Sequence, residues 1–347
     1  MQHAASAAPA FTLGTHSDTV APVATRREEL LETYRSQSAH RLVQAGLTLV
    51  ARQTEQGPAR GAVALWEGEP SEDFHGTLGA IWLWSRAQLV SGQTRFGPQI
   101  GSAWGFVEKT WPRFIPESLS ATASVEAAFD CAMVLRAGLA THSLTRSGDW
   151  RRHADQAARL LAAYLGNLVD LKARGFSDPG FLAWNLGESA RTVADRGLLA
   201  AVSRFVDRAW STRVVPDFVN EPTNADELFD ISCTSATGVL AMIASEGETP
   251  FIGTWLRERV AARFPTAFTP RPMDENCWNA CVAAAAGKAY LISHDERFFE
   301  SHRAITNELI LRSTQAGGAP GRSRGLPPET LAALYYGLAL DSLVVGR

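Results

Sequence analysis

Apolar and polar positions alternate along this chain in pairs of helical patterns that recur about every 50 residues, a period that indicates stacked helical hairpins. One member of each pair is small and apolar, as in His75–Val90 and Asn279–Ile292. The other is amphipathic and rich in arginine, as in Asp149–Leu168 and Asp295–Arg312. About six pairs fit in the 347 residues. The pattern therefore predicts an all-α fold, an α/α toroid of about six helical hairpins around a central cavity.

Glycine and proline mark the breaks between the predicted helices. A long first helix is predicted over about Thr25–Gln53, since its apolar residues form one face. Pro328 suits the first position of the last inner helix. No Pro/Gly/Ser-rich linker divides the chain. We therefore predict a loosely packed N-terminal tail over 1–24 and a single toroid domain over 25–347.

Composition and charge exclude several classes of partner. The chain is 46% hydrophobic and 20% charged, as in ordinary soluble proteins. The net charge is −3 and no long basic run occurs, so nucleic-acid binding has no electrostatic support. No apolar stretch has the length of a membrane span, and residues 1–25 lack the pattern of a signal peptide. These features predict a cytoplasmic protein without a nucleic-acid partner or a membrane span, and they leave its oligomeric state open.

Four cysteines occur at helical positions (Cys131, Cys233, Cys277 and Cys281), where reduced thiols are predicted to pack as small apolar groups. Cys277 and Cys281 share a helix face and His294 follows them, which is only a weak pattern for zinc. The glycine motifs of nucleotide-binding loops are absent from the sequence. We therefore predict no metal and no cofactor.

Two groups of motifs resemble known α/α-toroid families. A break, an aspartate, small residues and an apolar helix follow one another at Asp73–Thr77 and Asp230–Thr234, which resembles the terpenoid cyclase and protein prenyltransferase toroids. Ser147–Trp150 and Ser293–Arg297 each precede an alanine-containing helix, which resembles the hairpins of six-hairpin glycosidases and related lyases. The first resemblance implies acid-initiated cyclisation or rearrangement of a small-molecule, isoprenoid-like substrate. The second implies a hydrolase or lyase that acts on glycans.

The defining motifs of these families differ from the residues present here. Asp226–Asp230 does not match the Asp-x-Asp-Asp acid motif of class II terpenoid cyclases. Asp274–Cys277 is one residue too long for the Asp and Cys zinc ligands of the prenyltransferases. A non-catalytic helical scaffold or ligand-binding protein is therefore a third alternative, because a fold by itself does not imply a chemistry.

The starts of the inner helices hold the candidate catalytic residues, because a toroid brings these starts to one end of its cavity. Asp226 and Asp230 share a helix face. When two carboxylates lie this close together, the pKa of one of them is raised, so that it can act as a proton donor. In the isoprenoid alternative one of them is the acid. In the glycan alternative two of Asp73, Asp230 and Asp274 are acid and base. His75, close to Asp73, is a candidate general base. Each carboxylate can instead be a helix cap.

Aromatic and polar residues near the same helix ends are the candidate substrate-binding residues. Together with the aspartates they predict an acidic cavity lined by tryptophan, whose rings can stabilise a cation or stack on a sugar. Trp184 and Glu188 share a helix face, and Glu126 and Asp130 lie four residues apart in the second inner helix. The candidate binding residues are Trp82, Trp184, Asn185, Glu188, Glu275, Trp278, Asn279 and Tyr335.

Overall fold

The computed structural model describes residues 23–64, 73–119, 125–168, 177–211, 225–246, 250–268, 277–316 and 337–343. Only the backbone is described at 23–27, 177, 210–211, 225–235, 277 and 312–316. Within the described ranges the regular structure is helical, apart from one isolated bridge between Gln53 and Val63. This confirms the prediction of an all-α fold.

The helices follow the predicted alternation along the chain. In order they are α1 (Val23–Val50), α2 (Phe74–Ser91), α3 (Gly97–Phe114), α4 (Val125–Thr145), α5 (Gly148–Asn167), α6 (Ser177–Thr192), α7 (Arg196–Ser211), α8 (Ala225–Glu246), α9 (Pro250–Trp255), α10 (Cys277–Ser293), α11 (Glu296–Ala316) and α12 (337–343). A π-helical turn, Leu256–Val260, extends α9. The sequence predicts that the helix around Trp104 ends at Pro112, but α3 continues to Phe114. Proline removes one backbone donor, and the helix ends within a turn of it.

Local residues explain where several helices begin and end. Asp73 is the N-cap of α2, and its carboxylate accepts a hydrogen bond of 2.8 Å from the Gly76 N–H. Gly92 ends the same helix in the left-handed conformation, with φ of 68°. The Ser147 side chain caps α5 by accepting a hydrogen bond from the Asp149 N–H. The capping interpretation of Asp73 is therefore confirmed.

Five helices with small, apolar sequences pack side by side in one series. α2 contacts α4, α4 contacts α6, α6 contacts α8, and α8 contacts α10. We call these five the inner helices. The helix that follows each of them in the chain packs back against it as an outer helix, so that α3, α5, α7, α9 and α11 complete the hairpins. The predicted pairing of small apolar helices with amphipathic helices is thus present in the described chain.

α12 contacts both ends of the series of inner helices. Asp341 Oδ1 accepts a hydrogen bond of 2.8 Å from Arg86 Nε of α2. Ser342 Oγ lies against Gly287 of α10, so closely that a side chain at Gly287 would collide with it. The short helix near the C-terminus therefore packs between the first and the last inner helix.

α1 packs beside α12 and α11. Arg35 Nε donates a hydrogen bond of 3.1 Å to the Leu343 carbonyl oxygen. The Tyr34 ring of α1 also meets the Phe299 ring of α11 edge-on, with 5.4 Å between the ring centroids. The N-terminal helix therefore lies beside the last outer helix, although most of the chain separates them.

Small residues allow the inner helices to approach one another closely. A Cβ atom added at Gly187 of α6 would lie only 2.6 Å from Ala244 Cβ of α8. Protein interiors are close-packed, so a larger side chain at this contact would push the two helices apart. This close approach is the physical reason for the small, apolar pattern that the sequence shows in these helices.

Candidate functional site

Charged and amide side chains from four inner helices and α12 come together at the facing sides of these helices. We call this group the polar cluster; it consists of Arg86, Arg136, Asn185, Glu188, Lys288 and Asp341. Their sequence neighbours in the same helices are mostly buried and apolar. Charges in such a place are costly unless they are paired, so the cluster is a candidate for function.

Ion pairs connect most of the polar cluster. Lys288 Nζ lies 2.5 Å from Glu188 Oε1, and Arg136 Nη2 lies 3.9 Å from Glu188 Oε2. Arg136 Nε donates a hydrogen bond to Asn185 Oδ1, and Asn185 Nδ2 donates one of 2.7 Å to the Phe181 carbonyl oxygen. With the pair of Arg86 and Asp341, the described cluster holds three basic side chains and two carboxylates. One excess positive charge remains, so the predicted acidic character is not a property of this cluster.

The guanidinium of Arg136 covers the faces of two tryptophans. Its Cζ atom lies 4.2 Å from the ring centroid of Trp184 and 5.4 Å from that of Trp82. A cation over an indole face is attracted by the ring quadrupole, and the attraction is stronger where water is excluded. The structure therefore brings together four of the predicted binding residues, Trp82, Trp184, Asn185 and Glu188, around an arginine that is not among the predicted site residues.

Burial and neighbouring charges act against each other in this cluster. Burial raises the pKa of Glu188, but the charges of Lys288 and Arg136 outweigh it and hold the pKa below its usual value. Burial lowers the pKa of Arg136, and the carboxylates of Glu188 and Asp341 oppose that shift. The Trp184 N–H also helps to lower the Glu188 pKa, although it makes no hydrogen bond of normal geometry. Glu188 is therefore ionised at neutral pH.

Glu188 also indicates a space that solvent can enter. Its carboxylate lies among side chains of other inner helices, yet 34% of the Glu188 side chain is accessible to solvent. The Trp184 side chain one turn earlier is almost fully buried. A partly accessible side chain in such surroundings indicates a space next to the polar cluster that solvent can enter.

A histidine and an aspartate form a second group at the starts of the inner helices. His75 Nδ1 of α2 lies 3.2 Å from Asp130 Oδ1 of α4, and 41% of the His75 side chain is exposed. We call this pair the His75–Asp130 dyad. His75, Trp82 and Arg86 share one face of α2, with a rise of about 16 Å along the helix from His75 to Arg86. The dyad and the polar cluster therefore lie along the same face of α2.

The predicted site residues occupy different places in the structure. Asp73 caps a helix, and His75 pairs with Asp130. Trp82, Trp184, Asn185 and Glu188 lie at the polar cluster. Trp278 packs edge-on against Phe181, and Asn279 is buried in α10. The side chains of Asp226, Asp230, Asp274, Glu275 and Tyr335 lie outside the described residues.

The basic members of the polar cluster are not among the predicted site residues, although the sequence contains a signal for them. Arg86, Arg136 and Lys288 are basic residues within otherwise small, apolar inner helices. A basic side chain in such a helix has to find a partner or line an opening. Most of the predicted candidates lie near the starts of the inner helices, whereas these basic residues lie two or more turns further on.

The thiols of the described cysteines have a structural role. Cys131 and Cys281 are buried and make no disulfide, and burial raises the pKa of Cys131 to about 12. A thiol with such a pKa is a poor nucleophile and a poor metal ligand at neutral pH. Within the described ranges, no three His, Cys, Asp or Glu side chains group as they would around a metal ion.

Comparison of the chain with protein-family models, with curated proteins and with solved structures finds no match. The resemblance to the toroid families thus remains a prediction that depends on the motifs quoted above. No helix in the described part of the chain combines the length and the apolar character needed to cross a membrane.

Proposed function

We propose that this protein is an enzyme in which the inner helices close into a ring, an α/α toroid of six hairpins, around a central cavity. The contacts of α12 support the ring, since α12 binds α2 through Asp341 and packs on α10 through Ser342. α1 then serves as the outer partner of α12. The accessible surface of Glu188 supports the cavity, and it argues against a scaffold whose centre is filled with side chains.

The proposed activity is acid–base catalysis on a carbohydrate-like substrate, as in a glycan hydrolase or lyase. The observation that carries it is the His75–Asp130 dyad, because a carboxylate at Nδ1 fixes the tautomer of a neutral imidazole. Nδ1–H donates to Asp130, and Nε2 is then the base that takes a proton from the substrate or from water. The exposed surface of His75 leaves it accessible to a substrate.

The polar cluster supports a polar substrate rather than a hydrocarbon. It offers hydrogen-bond donors from Arg136 and Lys288. These donors lie further along the face of α2 that also carries His75. The Arg136 guanidinium lies over Trp184 and Trp82, so these rings are already engaged by a cation. A substrate carbocation next to them would be repelled by the positive charge of Arg136.

Acid-initiated cyclisation of an isoprenoid-like substrate is the second candidate, and a group of aromatic rings favours it. The Phe181 ring lies 5.3 Å from the Phe129 ring and 6.3 Å from the Trp278 ring, measured between centroids. Their helices, α4, α6 and α10, are inner helices, so such rings could stabilise a cation on a prenyl chain. In this candidate function Asp226 or Asp230 of α8 is the proton donor.

A substrate screen with variants of the dyad tests the proposal. The protein is incubated with soluble neutral and acidic glycans and with geranylgeranyl diphosphate, and new reducing ends, new carbon–carbon double bonds and cyclised products are measured. We expect turnover of a glycan, with kcat reduced about 100-fold or more in His75→Gln and Asp130→Asn, because general acid–base groups contribute that much.

A second histidine–carboxylate pair provides the matched control. His153 Nε2 lies 3.5 Å from Glu108 Oε1 on the outer helices α5 and α3. His153→Gln is expected to retain full turnover. If His75→Gln does so as well, the dyad is not catalytic. If only the isoprenoid is consumed and Asp230→Asn abolishes that reaction, the second candidate is the correct one.

A further inference from the structure

One nitrogen of the Arg136 guanidinium is buried without an acceptor. The Arg136 side chain is only 10% exposed, and its Nε donates to Asn185 Oδ1. Nη2 is fully buried and makes no hydrogen bond with any described residue; its nearest carboxylate oxygen, on Glu188, lies 3.9 Å away. A buried charged donor without an acceptor is more unfavourable than a buried neutral one, so an acceptor is expected there.

The excess positive charge around this nitrogen also favours a bound anion. Arg136 and Lys288 share the single carboxylate of Glu188, while Arg86 and Asp341 neutralise each other. Among the described residues, one positive charge is therefore in excess at a place that is largely removed from water. A bound anion would compensate it, because buried charges are stable only when they are paired.

A second buried donor lies beside the first. Trp184 Nε1 makes no hydrogen bond of normal geometry with the described residues, although its N–H is near enough to the Glu188 carboxylate to help lower the pKa of Glu188. Arg136 Cζ lies 4.2 Å from the centroid of the Trp184 ring. Part of the Glu188 side chain, one turn further along α6, is accessible to solvent, so a space that solvent can enter lies next to these two buried donors. Two donors from adjacent inner helices, α4 and α6, are thus available beside one such space.

We propose that Arg136 Nη2 and the Trp184 N–H form an anion subsite that binds a carboxylate carried by the substrate. One excess charge matches a single carboxylate, and guanidinium groups bind carboxylates through parallel, charge-assisted hydrogen bonds. The inference rests on the proposed function and specifies it further: the glycan is acidic, and its carboxylate lies at the polar cluster while its reacting atoms lie toward the His75–Asp130 dyad.

Equilibrium binding tests the subsite without any turnover. Glucuronate and glucose form one pair of probes and geranyl diphosphate and geraniol form another; titration calorimetry measures each affinity. We expect glucuronate to bind about tenfold or more tightly than glucose in the wild-type protein. Arg136→Gln should abolish this preference. Arg113→Gln is the control, because Arg113 also lies over an aromatic ring, that of Phe114, but away from the cluster.

Glu188→Gln gives a prediction of the opposite sign. Removing this carboxylate frees Lys288 and Arg136 from their counter-ion, so the preference for glucuronate over glucose should increase several-fold. If Arg136→Gln does not fold, Glu188→Gln and Arg136→Lys test the subsite instead. Lysine retains the charge but lacks the planar fork of the guanidinium, so Arg136→Lys should retain only part of the preference for glucuronate. The circular dichroism spectrum reports folding in each case.

Three results would overturn the subsite: equal affinity for glucuronate and glucose, a preference that survives in Arg136→Gln, or a preference that falls in Glu188→Gln. A different result is that the protein prefers geranyl diphosphate to geraniol, that this preference depends on Arg136, and that glucuronate does not bind. This result would support the anion subsite but contradict the proposed carbohydrate-like substrate. The failures of the two proposals can therefore be distinguished.

Discussion

At the scale of single residues, His302 of α11 shows what burial does to a titratable group. The imidazole is completely buried, and its Nδ1–H donates a hydrogen bond of 2.8 Å to the Ala283 carbonyl oxygen of α10. Burial disfavours the charged ring and lowers the pKa of His302 to about 4, against an ordinary value of 6.5. His302 is therefore neutral in the folded protein near neutral pH, and burial alone makes its protonation unfavourable.

This shift predicts acid sensitivity below neutral pH. Between the two pKa values the unfolded chain binds a proton that the folded protein does not bind, so the free energy of unfolding falls as the pH decreases from 6.5 toward 4. The contribution of His302 should decrease by roughly 2 kcal/mol between pH 7 and pH 5. Urea unfolding at the two pH values measures it.

The matched variants for this measurement are His302→Asn and His40→Asn. Asparagine at 302 retains a donor for the Ala283 carbonyl but cannot titrate, so the variant should lose less stability than the wild-type protein when the pH is lowered. His40 is exposed. His40→Asn should leave the pH dependence unchanged, and an unchanged pH dependence in His302→Asn would contradict the assignment.

At the scale of elements, variants of Asp73 allow its structural role as a helix cap to be tested separately from a catalytic role. Its carboxylate accepts a hydrogen bond from the Gly76 N–H at the start of α2. Asp73→Ala should lower the free energy of unfolding by about 1 kcal/mol, as is usual for the loss of an N-cap. Asparagine is an equally good cap, so Asp73→Asn should retain the stability. Thermal or urea unfolding of both variants provides the comparison.

The same pair of variants tests the catalytic alternative for Asp73. Asparagine cannot transfer a proton, so a catalytic Asp73 would lose activity in Asp73→Asn while the protein stays folded. We expect activity on the substrate identified in the screen to be retained. A large loss of kcat in the stable Asp73→Asn variant would show that the cap is also a catalytic residue.

Element by element, the sequence predicts the helices better than it predicts the site. Helix starts, stops and faces depend on residues a few positions apart, and therefore Asp73 and the shared face of Trp184 with Glu188 could be recognised in advance. The pairing of His75 with Asp130 could not, because 55 residues separate them and only the packing of α2 on α4 brings them together. For the same reason the sequence favoured Asp73 as the partner of His75.

At the scale of the whole molecule, the Arg86–Asp341 pair joins residues that lie 255 positions apart. The two side chains are 21% and 11% exposed, so removing one partner leaves a charge in poorly solvated surroundings. We expect Arg86→Gln and Asp341→Asn each to lower the free energy of unfolding by about 2 kcal/mol. The double variant should lose clearly less than the sum, with a coupling energy of about 1 kcal/mol or more.

A surface pair supplies the reference for this double-mutant cycle. Arg152 and Asp149 of α5 also form an ion pair, but their side chains are 80% and 64% exposed. Their coupling energy should be below about 0.5 kcal/mol, because solvent screens exposed pairs. If the Arg86–Asp341 cycle shows no more coupling than the Arg152–Asp149 cycle, the C-terminal helix does not hold the two ends of the series together.

Features that depend on neighbours within one or two helical turns could be predicted from the amino-acid sequence: an all-α chain, the alternation of small apolar and amphipathic helices, and a cap at Asp73. Which distant side chains meet depends on the folded structure. Arg136 lies over Trp82 and Trp184, and Lys288 pairs with Glu188, only because the inner helices pack side by side. Such contacts depend on the packing of whole helices, which no local spacing along the chain records.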